Sequence, residues 1–222
     1  MALILNIETT SPICSLALCE SNGQLVSILE NREQTSHASR ITILIDQLLT
    51  ESGKSLSDLV AVAVSSGPGS YTGLRIGTAV AKGLCYTLDI PLISVDTLRS
   101  LTIAVEVKKS SGLLCPMIDA RRLEVYTALF KDDKLIRKPA AIIIDAAFLE
   151  KELKEQPIYF FGSGSAKCKE LIQHPNALFI ADIENSSEHM FPFSCQKLKE
   201  SNFEDTAYYD PFYLKNQYIS TP

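Results

Sequence analysis

The chain has 222 residues, of which 46% are hydrophobic and 21% are charged, and its formal net charge is −5 at pH 7. This composition is typical of a folded globular protein and excludes disordered, collagen-like and coiled-coil chains. The negative charge argues against a general basic surface for nucleic acid or an anionic membrane. No apolar run is long enough to cross a bilayer, and the six cysteines include no CxxC pair. We therefore expect a cytoplasmic protein without a signal peptide or a disulfide framework.

The first half of the chain predicts three strands followed by alternating helices and strands. Three apolar runs before residue 30 predict an antiparallel meander, because Asn22-Gly23 between the second and third is typical of a hairpin turn. Apolar residues at helical spacing predict a first helix over 41–49. The β-branched run 59–64 predicts a buried strand, and a glycine-rich loop leads from it into a helix over 72–88. The half ends with a strand over 91–95 and a helix over 97–107.

The second half of the chain repeats this order of elements. The predicted strands and helices are strands over 113–118, 123–130 and 141–144, a helix over 145–155, a strand over 157–161, a helix after 162–165, a strand over 178–181 and helix within 186–199. A shift of 111 residues lays 5–20 over 116–131, so that Glu8 falls on Asp119. A doubled βββαβα unit predicts an α/β, two-lobed actin-like ATPase (ASKHA, ribonuclease H-like) fold.

The predicted boundary between the lobes is the polar segment 108–112. We expect an N-terminal lobe over 1–107 and a smaller second lobe over 108–205. The C-terminal segment 206–222 is predicted to pack back on the first lobe.

The glycine-rich loop Gly67–Gly73 is the strongest candidate for phosphate binding. Backbone amides where a helix begins can hold an anion. The loop lacks the third glycine of the Rossmann fingerprint and the lysine of a P-loop, so a tight strand-to-helix turn explains it equally well. Together with the two acidic turns, it defines a possible vestigial nucleotide cleft. The cleft residues are Glu8, Thr9, Thr10, Gly67, Gly69, Ser70 and Asp119.

Each of the two acidic turns can also have a purely structural role, without nucleotide binding. The turn at Glu8 can be a hydrogen-bonded hairpin end, and Asp119 can pair at the surface with Arg121 or Arg122. The chain contains no HExxH, HxxxH or GxSxG pattern. We therefore predict neither a metal site nor a catalytic residue.

Two helices carry apolar or small residues along one face. Such faces pack either against a partner or against the protein's own core. The candidate partner-interface residues are Ile41, Leu44, Leu48, Ile76, Gly77, Val80, Ala81 and Leu84.

Two motifs of the chain are SGPGSYTGLRIG at 66–77 and LNIETT at 5–10. They resemble the central motif and the first strand and turn of the bacterial TsaB (YeaZ) family, and the resemblance extends along most of the chain. Residues 118–126 and 211–216 resemble the start of its second lobe and its C-terminal signature, and His37 with Arg40 resembles the entry to its first helix. The chain departs from the family pattern at Glu8, where aspartate is usual, and at Ile43, where proline is common.

The resemblance implies a non-catalytic scaffold in the synthesis of threonylcarbamoyladenosine beside the anticodon of tRNAs that read codons beginning with A. The implied partners are the catalytic paralogue TsaD, held through a helix bundle, and the small ATPase TsaE, with tRNA reached only through the complex. A homodimer in isolation is possible, and no firmly bound cofactor is implied beyond weak ATP or ADP binding. The alternatives are an ATPase or phosphotransferase of the actin-like fold and, last, a metallopeptidase-like protein.

Overall fold

The computed structural model describes residues 2–32, 37–105 and 112–215. These fall into two compact units. Unit 1 comprises Met1–Ile103 and Asn185–Pro211, and unit 2 comprises Ala104–Glu184 and Phe212–Pro222. Most of the predicted linker at 108–112 and the end of the C-terminal segment lie outside the described residues.

The strands and α-helices alternate along the chain much as the sequence predicts. In chain order they are β1 (Leu3–Glu8), β2 (Cys14–Glu20), β3 (Leu25–Asn31), α1 (His37–Glu51), β4 (Leu59–Gly67), α2 (Tyr71–Leu88), β5 (Leu92–Asp96), α3 (Thr97–Leu101), β6 (Leu113–Asp119), β7 (Glu124–Lys131), β8 (Lys134–Ile143), α4 (Glu150–Glu155), β9 (Ile158–Phe161), β10 (Ala177–Phe179) and α5 (Phe191–Lys199).

Unit 1 is built on a five-stranded sheet in the order β3-β2-β1-β4-β5. Strands β1, β2 and β3 pair antiparallel, as the meander predicts, and β1, β4 and β5 pair parallel. Alternate residues of β1 face opposite sides of the sheet. Leu5 packs in the core formed with α1 and α2, whereas Ile4 packs in the core formed with α5. Both faces are covered, which explains the continuous apolar runs of β1 and β4.

The segment 185–205 belongs to unit 1, which corrects the predicted boundary of the second lobe at 205. Met190 and Phe193 are buried against one face of the sheet with Ala61 and Ile93. Without this segment, that apolar face would be exposed to water. Residues 206–211 also lie in unit 1, where Tyr209 joins the core under α1 and α2. Residues 212–215 belong to unit 2 instead, which corrects for them the prediction that the C-terminal segment packs back on the first lobe.

Unit 2 repeats the same topology, with the sheet order β10-β9-β6-β7-β8. Strands β6, β7 and β8 pair antiparallel, and β6, β9 and β10 pair parallel. The predicted duplication of the fold is therefore confirmed. The core of unit 2 lies between this sheet and α4 and includes Met117, Val125, Leu153 and Phe160.

Several predicted elements differ in length from those observed. The predicted helix over 145–155 begins only at Glu150, after Leu149 in a left-handed conformation, and the helix predicted after 162–165 is a short 3-10 turn. Strand β8 begins at Lys134, well before the predicted start at 141. Its first half is exposed at the sheet edge, so it lacks the apolar alternation by which a strand is recognised. Among the described helices, none combines the length and apolar character needed to cross a membrane.

Candidate functional site

The carboxyl end of β1 holds Glu8 in the interior of unit 1, with 0% of the residue exposed. Its Oε1 accepts hydrogen bonds from the Thr10 amide at 2.6 Å and from the Thr10 hydroxyl at 2.5 Å. Its Oε2 has no hydrogen-bond partner among the described residues. Burial raises the pKa of Glu8, and the hydrogen bonds from Thr10 offset only part of that rise. Burial therefore disfavours the ionised form of Glu8 more than these hydrogen bonds favour it.

The β1–β2 turn is bonded to the glycine-rich loop that follows β4. Thr9 Oγ1 donates to Gly73 O at 2.9 Å, and the Ser70 amide donates to Thr10 O at 2.8 Å. Asn185 Nδ2 donates to Thr10 Oγ1 at 2.8 Å. The structure thus brings the predicted residues Glu8, Thr9, Thr10, Gly69 and Ser70 together in one place.

Close backbone packing explains the glycines of this loop. A Cβ atom on Gly69 would lie 2.4 Å from Thr10 Cβ, and one on Gly73 would lie 1.9 Å from Thr9 O. Gly67 has a φ of +105°, a conformation that favours glycine.

Some of the loop amides are already bonded within the protein. The Gly67 amide donates to Thr97 Oγ1, and the Gly73 amide donates to Ser70 Oγ. These contacts favour the tight-turn interpretation of Gly67–Gly73. Nucleotide binding at this loop stays a prediction.

Asp119 ends β6 in unit 2, and its side chain is 51% exposed. Its Oδ1 accepts from the Arg121 amide at 2.7 Å and forms an ion pair with Lys167 Nζ. Lys167 also donates to Glu124 O at 2.7 Å. Lys167 lies 48 residues further along the chain, and no local pattern in the sequence predicts its contact with Asp119. The lysine supplies the positive partner that the sequence analysis assigned to Arg121 or Arg122.

Unit 2 repeats the close contact between a strand end and a glycine loop. A Cβ on Gly162 would lie 2.5 Å from Met117 O, and one on Gly164 would lie 3.0 Å from the Ile118 carbonyl carbon. Ser163 Oγ accepts from the Asp119 amide at 3.1 Å.

Within the described residues, no three histidine, cysteine or acidic side chains are placed to hold a metal ion.

Five of the eight candidate partner-interface residues lie inside unit 1, which corrects their assignment to a surface. The five buried residues are Ile41, Leu44, Leu48, Gly77 and Ala81. A Cβ on Gly77 would meet Thr9 Oγ1 at 2.3 Å, so the small residues of α2 allow the helix to approach its own sheet. The other three candidates, Ile76, Val80 and Leu84, are half-buried.

An apolar groove of about 420 Å³ lies between α1 and α2. It is lined by Thr42, Ile45, Asp46, Leu49, Leu56, Val80, Gly83, Leu84, Thr87 and Leu88. The same two helices expose Ile43, at 57%, and Tyr86, at 87%. Val80 and Leu84 of the predicted interface line this groove. Leu56 and Gly83 also line it, although the periodicity of the helices did not indicate them.

Comparison with known proteins identifies the family. The model of the TsaD family, tRNA N6-adenosine threonylcarbamoyltransferase, matches residues 30–206. The tRNA threonylcarbamoyladenosine biosynthesis protein TsaB of Bacillus subtilis is 31% identical over 77% of this chain and 75% of its own. The chain belongs to the TsaB (YeaZ) family. The Escherichia coli TsaB is 29% identical over 96% of this chain and 94% of its own.

The solved structure of YeaZ from Pseudomonas aeruginosa has the same fold. It matches 96% of this chain and 100% of its own with a TM-score of 0.76 and 25% identity. The duplicated mixed sheets described above are thus the two-lobed actin-like α/β fold of the TsaB family.

Proposed function

We propose that this chain is a non-catalytic subunit in the biosynthesis of threonylcarbamoyladenosine in tRNA, and that it binds its catalytic paralogue through the groove between α1 and α2. Relatives that cover most of the chain are named tRNA threonylcarbamoyladenosine biosynthesis proteins. The observation that carries the docking proposal is the apolar groove itself.

The groove has the character of a protein interface. Leucine, isoleucine and valine dominate its lining, and Leu56 at its edge is 41% exposed. Apolar surface gathered in one place favours association, because burial removes it from water at about 25 cal/mol per Å². At Gly83 an added Cβ would meet nothing within 4 Å. A partner helix can therefore approach the backbone of α2 closely at this point.

The polar groups of the predicted cleft support a structural role. Glu8 is buried with a raised pKa, which makes it a poor metal ligand, and Asp119 is paired with Lys167. We propose that neither acts in chemistry, and that transfer to tRNA takes place on the partner. The net charge of −5 supports tRNA contact through that partner.

Light scattering after gel filtration tests the proposal on this chain mixed with TsaD from the same organism. We expect a one-to-one complex with the wild type. Gly83→Arg should weaken it at least ~10-fold, or about 1.4 kcal/mol, because a long charged side chain would enter the apolar groove. Gly83→Ala is the matched control, and both substitutions suit a helix.

A second control places a charge on an exposed apolar residue far from α1 and α2 in the chain. Ile143→Asp in unit 2, where Ile143 is 72% exposed, should leave the complex intact. Unchanged binding by Gly83→Arg and by Leu84→Glu would show that the groove is not the interface. A wild-type chain that forms no complex with TsaD would contradict the partner proposal as a whole.

A further inference from the structure

Two thiols from distant parts of the chain meet inside unit 1. Cys19 lies in β2 and Cys195 in α5, 176 residues apart, and their Sγ atoms are 3.8 Å from each other. Both residues are buried, with 0% and 4% of their surfaces exposed. They are free thiols.

Polar groups surround the pair. Asn6 Nδ2 donates to Cys19 Sγ at 3.2 Å, and Ser194 Oγ donates to Asn6 Oδ1 at 2.7 Å. The Cys195 thiol donates to Glu20 O at 3.4 Å, and the Cys19 thiol donates to Ile4 O at 3.8 Å. Asn6 of β1 thus holds the Cys19 sulfur, and Ser194 of α5 holds Asn6, with the two sulfur atoms in direct contact.

Cys195 differs in acidity from the other cysteines. The neighbouring Cys19 thiol lowers the pKa of Cys195 by more than burial raises it, and the positive charge of Lys199 adds to the lowering. Burial raises the pKa of Cys14 and of Cys85 to about 11. Cys195 is therefore the more acidic thiol of the pair and the one that forms a thiolate more readily.

We propose that Cys19 and Cys195 are a peroxide-oxidisable pair, and that their disulfide ties α5 covalently to the sheet of unit 1. The Cys195 thiolate attacks one oxygen of hydrogen peroxide. An S–O bond forms, the O–O bond breaks, and the departing hydroxide takes up a proton to become water. Cys19 then attacks the sulfenic sulfur, so that the S–S bond forms and the S–O bond breaks with loss of a second water. Two thiols lose two electrons and two protons, and one peroxide becomes two waters.

The disulfide would fix the segment that completes unit 1. It requires the sulfurs to close from 3.8 Å to about 2.05 Å. A bond between residues this far apart restricts the unfolded chain strongly, so oxidation should stabilise the protein. A thiol reductant reverses the change by exchange.

Mass spectrometry of the whole chain after treatment with dilute hydrogen peroxide tests this proposal. We expect a mass lower by about 2 Da, a loss of two of the six alkylatable thiols, and a peptide that joins Cys19 to Cys195. The melting temperature should rise by about 5 °C or more and return with dithiothreitol. The peptide map needs no variant, so it does not depend on the folding of a mutant.

Variants then assign the effect to the pair. Cys19→Ser and Cys195→Ser should each lose both the linked peptide and the rise in melting temperature. Cys85→Ser, which removes another buried thiol, should behave as the wild type. Oxidation that only adds oxygen, that links other cysteines, or that joins separate chains would overturn the proposal. These outcomes are independent of whether the groove binds TsaD.

Discussion

Glu8 combines a carboxyl group with complete burial at the end of β1. The side chain is fixed by two hydrogen bonds from Thr10, and the turn is fixed in its place by Gly73 and Ser70. Burial penalises the charged form and raises the pKa above the ordinary value of 4.5. Over the pH range just above 4.5, the folded protein therefore holds a proton that the unfolded chain has lost.

This difference in proton binding makes stability depend on pH in a definite direction. Because the folded state binds more protons, the contribution of Glu8 to the free energy of unfolding falls as pH rises through the raised pKa. Glu8→Gln has no proton to lose, and its Oε1 can still accept from Thr10. We expect the stability of the variant relative to the wild type to increase with pH above about 4.5, by ~1.4 kcal/mol for each unit of pKa rise.

Urea unfolding at a series of pH values, followed by circular dichroism, measures this difference. Glu51→Gln on the exposed side of α1 is the control for the exchange of a glutamate for glutamine. A Glu8→Gln difference that does not change with pH would mean that Glu8 ionises normally in the folded protein.

Helix α2 contains glycines with opposite roles. Gly73 lies against the backbone of Thr9, where a Cβ would be only 1.9 Å from the carbonyl oxygen, whereas a Cβ on Gly83 would meet nothing. We expect Gly73→Ala to destabilise the protein by about 1–3 kcal/mol, because the turn and the helix must separate. Gly83→Ala should stabilise it by about 0.5–1 kcal/mol, because alanine favours the helix.

Thermal unfolding of the two variants and of the wild type measures both changes in stability. Equal effects of the two substitutions would mean that the intrinsic helix preference of alanine, and not contact with the β1–β2 turn, decides the role of Gly73.

Local patterns predicted most elements of unit 1 but not what they face. The periodicity of α2 shows an amphipathic helix, yet it does not tell whether Gly77 and Ala81 approach a partner or the sheet beneath. The glycines of Gly67–Gly73 were recognisable, but phosphate binding and tight packing require the same residues. Strand β8 was only partly found, because an exposed edge strand does not need apolar alternation. The contact of Lys167 with Asp119 depends on the pairing of strands distant in sequence, which no single segment encodes.

At the scale of the whole molecule, unit 1 is formed by two segments of the chain that are separated in sequence by most of unit 2. The chain completes most of unit 1 by residue 103, forms unit 2, and returns to unit 1 at Asn185. The returning segment covers one face of the sheet with Met190 and Phe193. Full burial of each such side chain contributes about 1.5–3 kcal/mol. Loss of this burial would be large compared with the ~5–15 kcal/mol of net stability that is usual for a protein.

We therefore expect unit 1 to depend on a segment that lies after unit 2 in the sequence. A chain that ends at Glu184 should lose cooperative unfolding of unit 1 and aggregate, because the apolar face of the sheet that includes Ala61 and Ile93 would be exposed. A chain that ends at Pro211 is the matched control, since it also lacks 212–222 but keeps α5. Gel filtration and a calorimetric melt compare the two. A monomeric 1–184 chain with the melting profile of the 1–211 chain would show that unit 1 folds without its returning segment, and that α5 only rests on a sheet already stable by itself.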